Sequence, residues 1–234
     1  MGEAYLIPAW FLGFDTAMQL IFGMVTLLVA AVAFRIYRIS SERVIRHFSI
    51  AFLLLALSYG FWALLTLELV RQLNSELSIL SLENLAIIWV MGHYAHMLLF
   101  VSGLALLVYA TLGIKNGGVY YLLLGLSATA IAASFQKLIT FRIVSMFLLS
   151  LLAYYYYGEY LKRRNLKTLA VCVAFVLLFV SSINLIFAQQ HSAAYVAGHV
   201  LQLVAYGLIF ATMVRYLDIS HSHEQKKKSS RDHS

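Results

Sequence analysis

Seven polar side chains fall where a helical period gathers them onto two faces. In the stretch HSAAYVAGHVLQLVAYG, His191, Tyr195, His199, Gln202 and Tyr206 recur at spacings of 4, 4, 3 and 4, so one face of a helix carries all five. In WVMGHYAHMLLF, His93 and His96 stand three apart and share a face of another helix. The rest of both stretches is mostly Val, Leu, Ala and aromatic residues. Ionisable groups in such surroundings are costly and turn toward a bundle interior, where they mark binding or relay sites.

Three chemistries suit these residue types. Hydrogen bonds between helices are the plainest, averaging under about 1 kcal/mol each within a bilayer and fixing packing. Bis-histidine ligation of haem b is the second. It needs one imidazole from each of two helices at similar depth, here His96 and His199, with Gly92, Ala95, Ala197, Gly198 and Gly207 as small neighbours that admit the macrocycle. A zinc site from His93, His96 and His199 is the third, and an intramembrane hydrolase built on it would take Glu68 or Asp15 as general base. His191 cannot share an ion with His199, because eight residues separate them by ~12 Å along a helix.

Other schemes find less support. Ser102, Ser127, Ser145 and Ser181 lie in apolar runs without a GxSxG setting, and such hydroxyls usually bond back to their own backbone. No lysine in the last span could form a retinal Schiff base. Lys137 reads as an interfacial anchor. The YYYYGEY run from Tyr154, with Trp10, Trp62 and Trp89, reads as aromatic belt.

The elements that must position these groups are transmembrane helices. Of 234 residues, 62% are hydrophobic and 12% charged, against roughly a quarter charged in soluble domains. Apolar runs near 20 residues, enough to cross ~30 Å of hydrocarbon, fill the chain. The candidate spans are 15–34, 48–69, 85–112, 118–134, 141–160, 168–187 and 193–216, the fourth being short and rich in small residues; six spans is the alternative if the fourth and fifth are misread. This predicts an all-α polytopic bundle of seven transmembrane helices over 15–217. An extracytoplasmic segment, 1–14, precedes it, and a disordered basic cytoplasmic tail, 218–234, follows. MGEAYLIPAWF lacks the basic start of a cleavable signal, so the first helix is expected to be retained.

Direction follows from charge. All but three of the 17 basic residues fall in the segments around Arg35 to Arg46, Lys115, Lys162 to Lys167 and Arg215 to Arg231. The exceptions, Arg71, Lys137 and Arg142, share the other side with Glu3, Asp15, Glu68, Glu76 and Glu83. The positive-inside rule puts the N-terminus outside and the C-terminus in the cytoplasm of a plasma-membrane protein. His199 then lies about 9 Å and His96 about 16 Å below the outer starts of their spans, with Asp15, Gln19, Glu68 and Lys137 on the same side. The net charge of +7 is explained by this asymmetry and calls for no nucleic acid. The lone Cys172, in an apolar run, offers neither a disulfide nor a cysteine metal site.

At His199, Leu201, Gln202, Ala205, Tyr206, Leu208, Ile209 and Phe210 the chain resembles the closing helix of MASE3-type membrane sensory modules. From FRIYRIS through GHYAHMLLF to AYVAGHVLQLVAYGLIF it is similar to small seven-helix archaeal membrane proteins of unknown function. The resemblance implies a ligand- or cofactor-sensing bundle that passes its signal to a cytoplasmic or membrane protein partner. The expectation is a non-enzymatic sensory or binding protein centred on His96 and His199 and lined by His93, His191, Tyr195, Gln202 and Tyr206. A haem b electron carrier, a zinc-dependent intramembrane hydrolase and a structural subunit of a membrane complex are the alternatives.

Overall fold

The computed structural model describes residues 9–74, 82–114, 116–188 and 192–231, and among them every regular element is an α-helix. These are α1 (Ala9–Ser40), α2 (Arg43–Asn74), α3 (Leu82–Thr111), α4 (Gly118–Ala133), α5 (Lys137–Arg163), α6 (Leu166–Phe187) and α7 (Ser192–Arg231). Six of the seven are long and apolar enough to cross a membrane; α4, with 16 residues, is the exception. At 1.5 Å per residue α4 measures ~24 Å, short of a ~30 Å hydrocarbon core. The chain is therefore a multi-pass membrane protein. Its outward faces agree, because Met24, Leu64, Met91, Leu126 and Phe147 are exposed, as lipid permits and water does not.

Turn chemistry sets where the helices stop. Between α1 and α2, Ser41 adopts a left-handed φ of 57° while its N–H donates to the Tyr37 carbonyl at 2.8 Å. Between α5 and α6, Arg164 is left-handed and Asn165 caps the new helix, its side-chain oxygen accepting from the Lys167 N–H at 3.0 Å. The tail expected to lack structure is helical as far as Arg231, although the apolar part of α7 ends at Leu217.

The helices close into a ring. α1 packs on α2, α2 on α3, α3 on α5, α5 on α6, α6 on α7 and α7 back on α1; among the described residues α4 touches α3 and α5 alone, on the outside. Asp15 meets Tyr195 near the starts of α1 and α7, and Phe22 meets Tyr206 further along both, so the first and last helices run parallel. Likewise Lys137 lies over the Tyr94 ring, and Phe141 meets His96 and Phe100, which makes α3 and α5 parallel. α4 accordingly carries the chain back, its Tyr120 lying against Tyr109 at the far end of α3.

Two contacts show why neighbours sit so close. A Cβ on Gly103 would stand 2.9 Å from the Ala51 carbonyl oxygen, and one on Gly198 would meet Leu185 at 2.9 Å and the Ser181 carbonyl at 3.3 Å. Glycine lets these backbones approach in a medium where packing, and not water exclusion, joins helices. This direction of travel also puts the ends of α1 and α5 and the starts of α2 and α6 together. Arg38, Arg43, Lys162, Arg163, Arg164 and Lys167 gather at that end, and His93, His96 and His199 lie toward the other.

Candidate functional site

The predicted polar face of α7 does turn into the ring. His199, Gln202 and Tyr206 are buried, and each meets groups from other helices. The Tyr195 hydroxyl donates to Asp15 Oδ1 of α1, and Gln19 Nε2 approaches the same oxygen at 3.4 Å. His199 stacks on Tyr195 with ring centroids 4.1 Å apart, places Nδ1 3.0 Å from the Tyr195 carbonyl and Nε2 3.6 Å from Asp15 Oδ1. A carbonyl only accepts, so Nδ1 must carry hydrogen. Nε2 then faces the carboxylate oxygen, so that Asp15 and His199 form a carboxylate–imidazole pair across α1 and α7.

One turn deeper, a second network forms. Gln202 Nε2 donates to the Tyr59 hydroxyl of α2, which lies 2.7 Å from the Tyr206 hydroxyl. Phe22 of α1 separates the two networks, with its ring 5.7 Å from His199, 5.5 Å from Tyr59 and 6.0 Å from Tyr206. These residues sit near the ring's axis, since they come from α1, α2 and α7 and meet inside it.

His96 belongs to a third group on the α2 and α3 side. The Ser58 hydroxyl donates to the His96 carbonyl at 2.9 Å; Nδ1–H of His96 donates in turn to the Ser58 carbonyl at 3.0 Å and lies 2.8 Å from its hydroxyl oxygen. This pairing locks the imidazole tautomer and clamps two helices, as buried polar groups must be satisfied. His93 stacks against Trp89 at 5.2 Å and meets Trp62, tilted, at 4.8 Å. Its Nδ1 and the Oε1 of Gln19 are buried with no hydrogen-bond partner among the described residues.

Two expectations fail on this geometry. His93, His96 and His199 do not converge, and among the described residues no group of three His, Cys, Asp or Glu side chains could hold a metal ion. Rings fill the way between His96 and His199: His96 lies 6.4 Å from Tyr59, Tyr59 5.5 Å from Phe22, and Phe22 5.7 Å from His199. A haem between the two imidazoles has no room. Two of the glycines read as making space for it serve helix approach instead, Gly92 lying under Leu65 and Gly198 under Leu185, whereas Gly207 has open surroundings. Glu68, one proposed base, is bound to Arg71 at 2.7 Å on the exposed end of α2, whereas Asp15, the other, lies within the cluster. His191 lies outside the described residues.

The back-bonding expected of serine hydroxyls is seen at two positions. Ser102 and Ser145 bond to carbonyls one turn back, and Lys137 donates to Ser134 O at 3.3 Å beside Tyr94. Ser181 differs, crossing to the Gly198 carbonyl of α7 at 2.8 Å.

The residue that sequence reasoning missed is Arg142. Counted there only among the charges of the outer side, it stands half-buried on the second turn of α5 and lines a partly open cavity of about 10 Å³ together with Gln202 and Tyr206. Its charge reaches Tyr59, Tyr195 and Tyr206 electrostatically, and His93 and His96 as well. The available signal was an arginine inside FRIVSMFLLSLL, six residues past the break at Gln136. No protein-family model, curated protein or solved structure matches this chain.

Proposed function

We propose that this chain is an integral membrane sensory or ligand-binding protein, crossing a plasma membrane seven times with its N-terminus outside. The polar site then lies in the outer half of the bundle. Parallel courses of α1 with α7 and of α3 with α5 support the odd count, since α4 must traverse the bundle to bring the chain back. The gathering of basic residues at the opposite end supports the orientation.

One observation carries the functional reading: the Asp15 carboxylate is held by Tyr195 and His199 between the first helix and the last. Interhelical packing alone requires hydroxyls and amides, which this bundle already has at Ser58, Ser181 and Gln202. A carboxylate and an imidazole in the same place cost several kcal/mol to desolvate, and intramembrane ionisable groups usually have a task. The pair suits recognition of a small polar molecule or a proton-linked change in helix packing.

The test is a thermal-shift screen of small polar compounds at fixed salt and pH, using purified full-length protein. A compound that raises the melting temperature of the wild type, but not of Asp15→Asn or His199→Ala, is the expected result. Hits that act equally on all three proteins, or no hit at all, would sink the reading.

A further inference from the structure

Among the described residues Arg142 has no ion-pair partner, and its guanidinium lies 5.3 Å from the ring of Phe141. It lies five residues into α5, about 8 Å along the helix, where an arginine anchored at the interface would reach outward to water. Instead its side chain lines the cavity inside the ring, with Gln202 and Tyr206 from α7, a helix that α5 does not pack against among the described residues. No ion pair or hydrogen bond to Arg142 is formed among the described residues. The exposed bases Arg71, Lys162 and Arg163, by contrast, all have a glutamate. A guanidinium does not shed its proton, so burial cannot neutralise it. Asp15 acts on Arg142 only from a distance.

Besides Arg142, the polar residues lining the cavity are Gln202, Tyr206, Ser181 and Ser182, the two serine hydroxyls already donating to carbonyls, and Phe100 and four leucines complete the wall. Gln202 has given one N–H to Tyr59, so the Tyr59 oxygen already accepts. Two phenolic protons remain in the Tyr59 and Tyr206 pair; one closes their 2.7 Å bond, and the other is left to point elsewhere. Tyr206, on the cavity wall, can offer it inward beside the guanidinium. A volume of about 10 Å³ accommodates a single water-sized centre and no organic acid.

From this cation, these donors and this volume we infer that the cavity beside Arg142 binds a small monoatomic anion of the halide class. The inference deepens the ligand-binding reading and rests on it for physiological meaning, but its chemistry sits on different residues. Binding a halide neutralises Arg142, and the donors of α5 and α7 converge on one ion, joining two helices that otherwise do not touch. Halide occupancy would therefore set how firmly the ring closes.

The experiment exchanges sodium gluconate for sodium chloride or bromide at constant ionic strength and follows thermal unfolding of the purified full-length protein in detergent. The expected result is a melting temperature higher by roughly 5 °C or more once halide exceeds its dissociation constant about a hundredfold. The rise should be lost in Arg142→Met, and bromide should appear by anomalous diffraction within contact distance of the guanidinium. Equal stability of the wild type in gluconate and halide would overturn the inference even if Arg142→Met failed to fold. So would halide stabilisation that persists in Arg142→Met, or bromide found only elsewhere, with a water beside Arg142. Failure here leaves the screen on Asp15→Asn and His199→Ala unaffected, and a failed screen leaves the halide titration intact.

Discussion

Tyr59 is the residue through which α7 is tied to α2, accepting from Gln202 and paired with the Tyr206 hydroxyl. Removing either phenolic oxygen leaves the other without its partner, so Tyr59→Phe and Tyr206→Phe should each destabilise the fold by about 1 kcal/mol. The double variant should cost less than their sum, with a coupling of roughly 0.5–1.5 kcal/mol from a double-mutant cycle in reversible detergent unfolding. Additive losses would mean that the two oxygens do not interact. Half of this pair was legible beforehand: the period of α7 put His199, Gln202 and Tyr206 on one inward face. Their partners were not. Tyr59 and Ser58 are lone polar residues midway along an apolar run, with no periodic companion to single them out. Arg142 was hidden by its nearness to a helix end, where charge is ordinary, because which way a long side chain turns is decided by its neighbours.

At the scale of elements, glycine was where sequence reasoning erred most instructively. Gly92 and Gly198 were understood as clearance for a macrocycle, yet small residues are equally what allows two backbones to touch, and composition alone does not say what enters the space. Gly103 shows the second use most sharply, since it faces a backbone carbonyl that cannot rotate away. Gly103→Val should force α2 and α3 apart and cost about 1–3 kcal/mol, visible as a lower midpoint of unfolding in denaturing detergent. Gly207, whose surroundings are open, should tolerate the same change and serves as the control. Helix positions were readable because ~20-residue apolar runs have few alternatives, and the starts and stops moved outward by several residues because polar and aromatic ends continue the helix. α4 was recognised as the weak element for the reason the fold confirms, its length.

For the whole molecule, the ring order could not be read from sequence, because apolar faces of membrane helices carry little information about which neighbour they meet. Orientation can be measured directly. Cys172 is the chain's lone cysteine and is buried, so Cys172→Ser supplies a cysteine-free background. New cysteines at Phe135, fully exposed in the turn between α4 and α5, and at Asn165, between α5 and α6, lie at opposite ends of the bundle. A membrane-impermeant maleimide added to intact cells should label position 135 and reach 165 only after lysis. The opposite pattern would invert the topology, and labelling of both from outside would break the odd count.

Closure of the ring between the first helix and the last also dictates a schedule. Asp15 and the hydroxyl it accepts from lie 180 residues apart, so at about 5–20 residues per second a ribosome needs roughly ten to forty seconds to deliver the second after the first. Throughout that interval the carboxylate waits in the bilayer protonated, in water at the translocon, or in the care of an insertion factor. Quality control has a natural checkpoint there, since a nascent chain halted before its seventh helix leaves an acid in lipid that a finished one conceals.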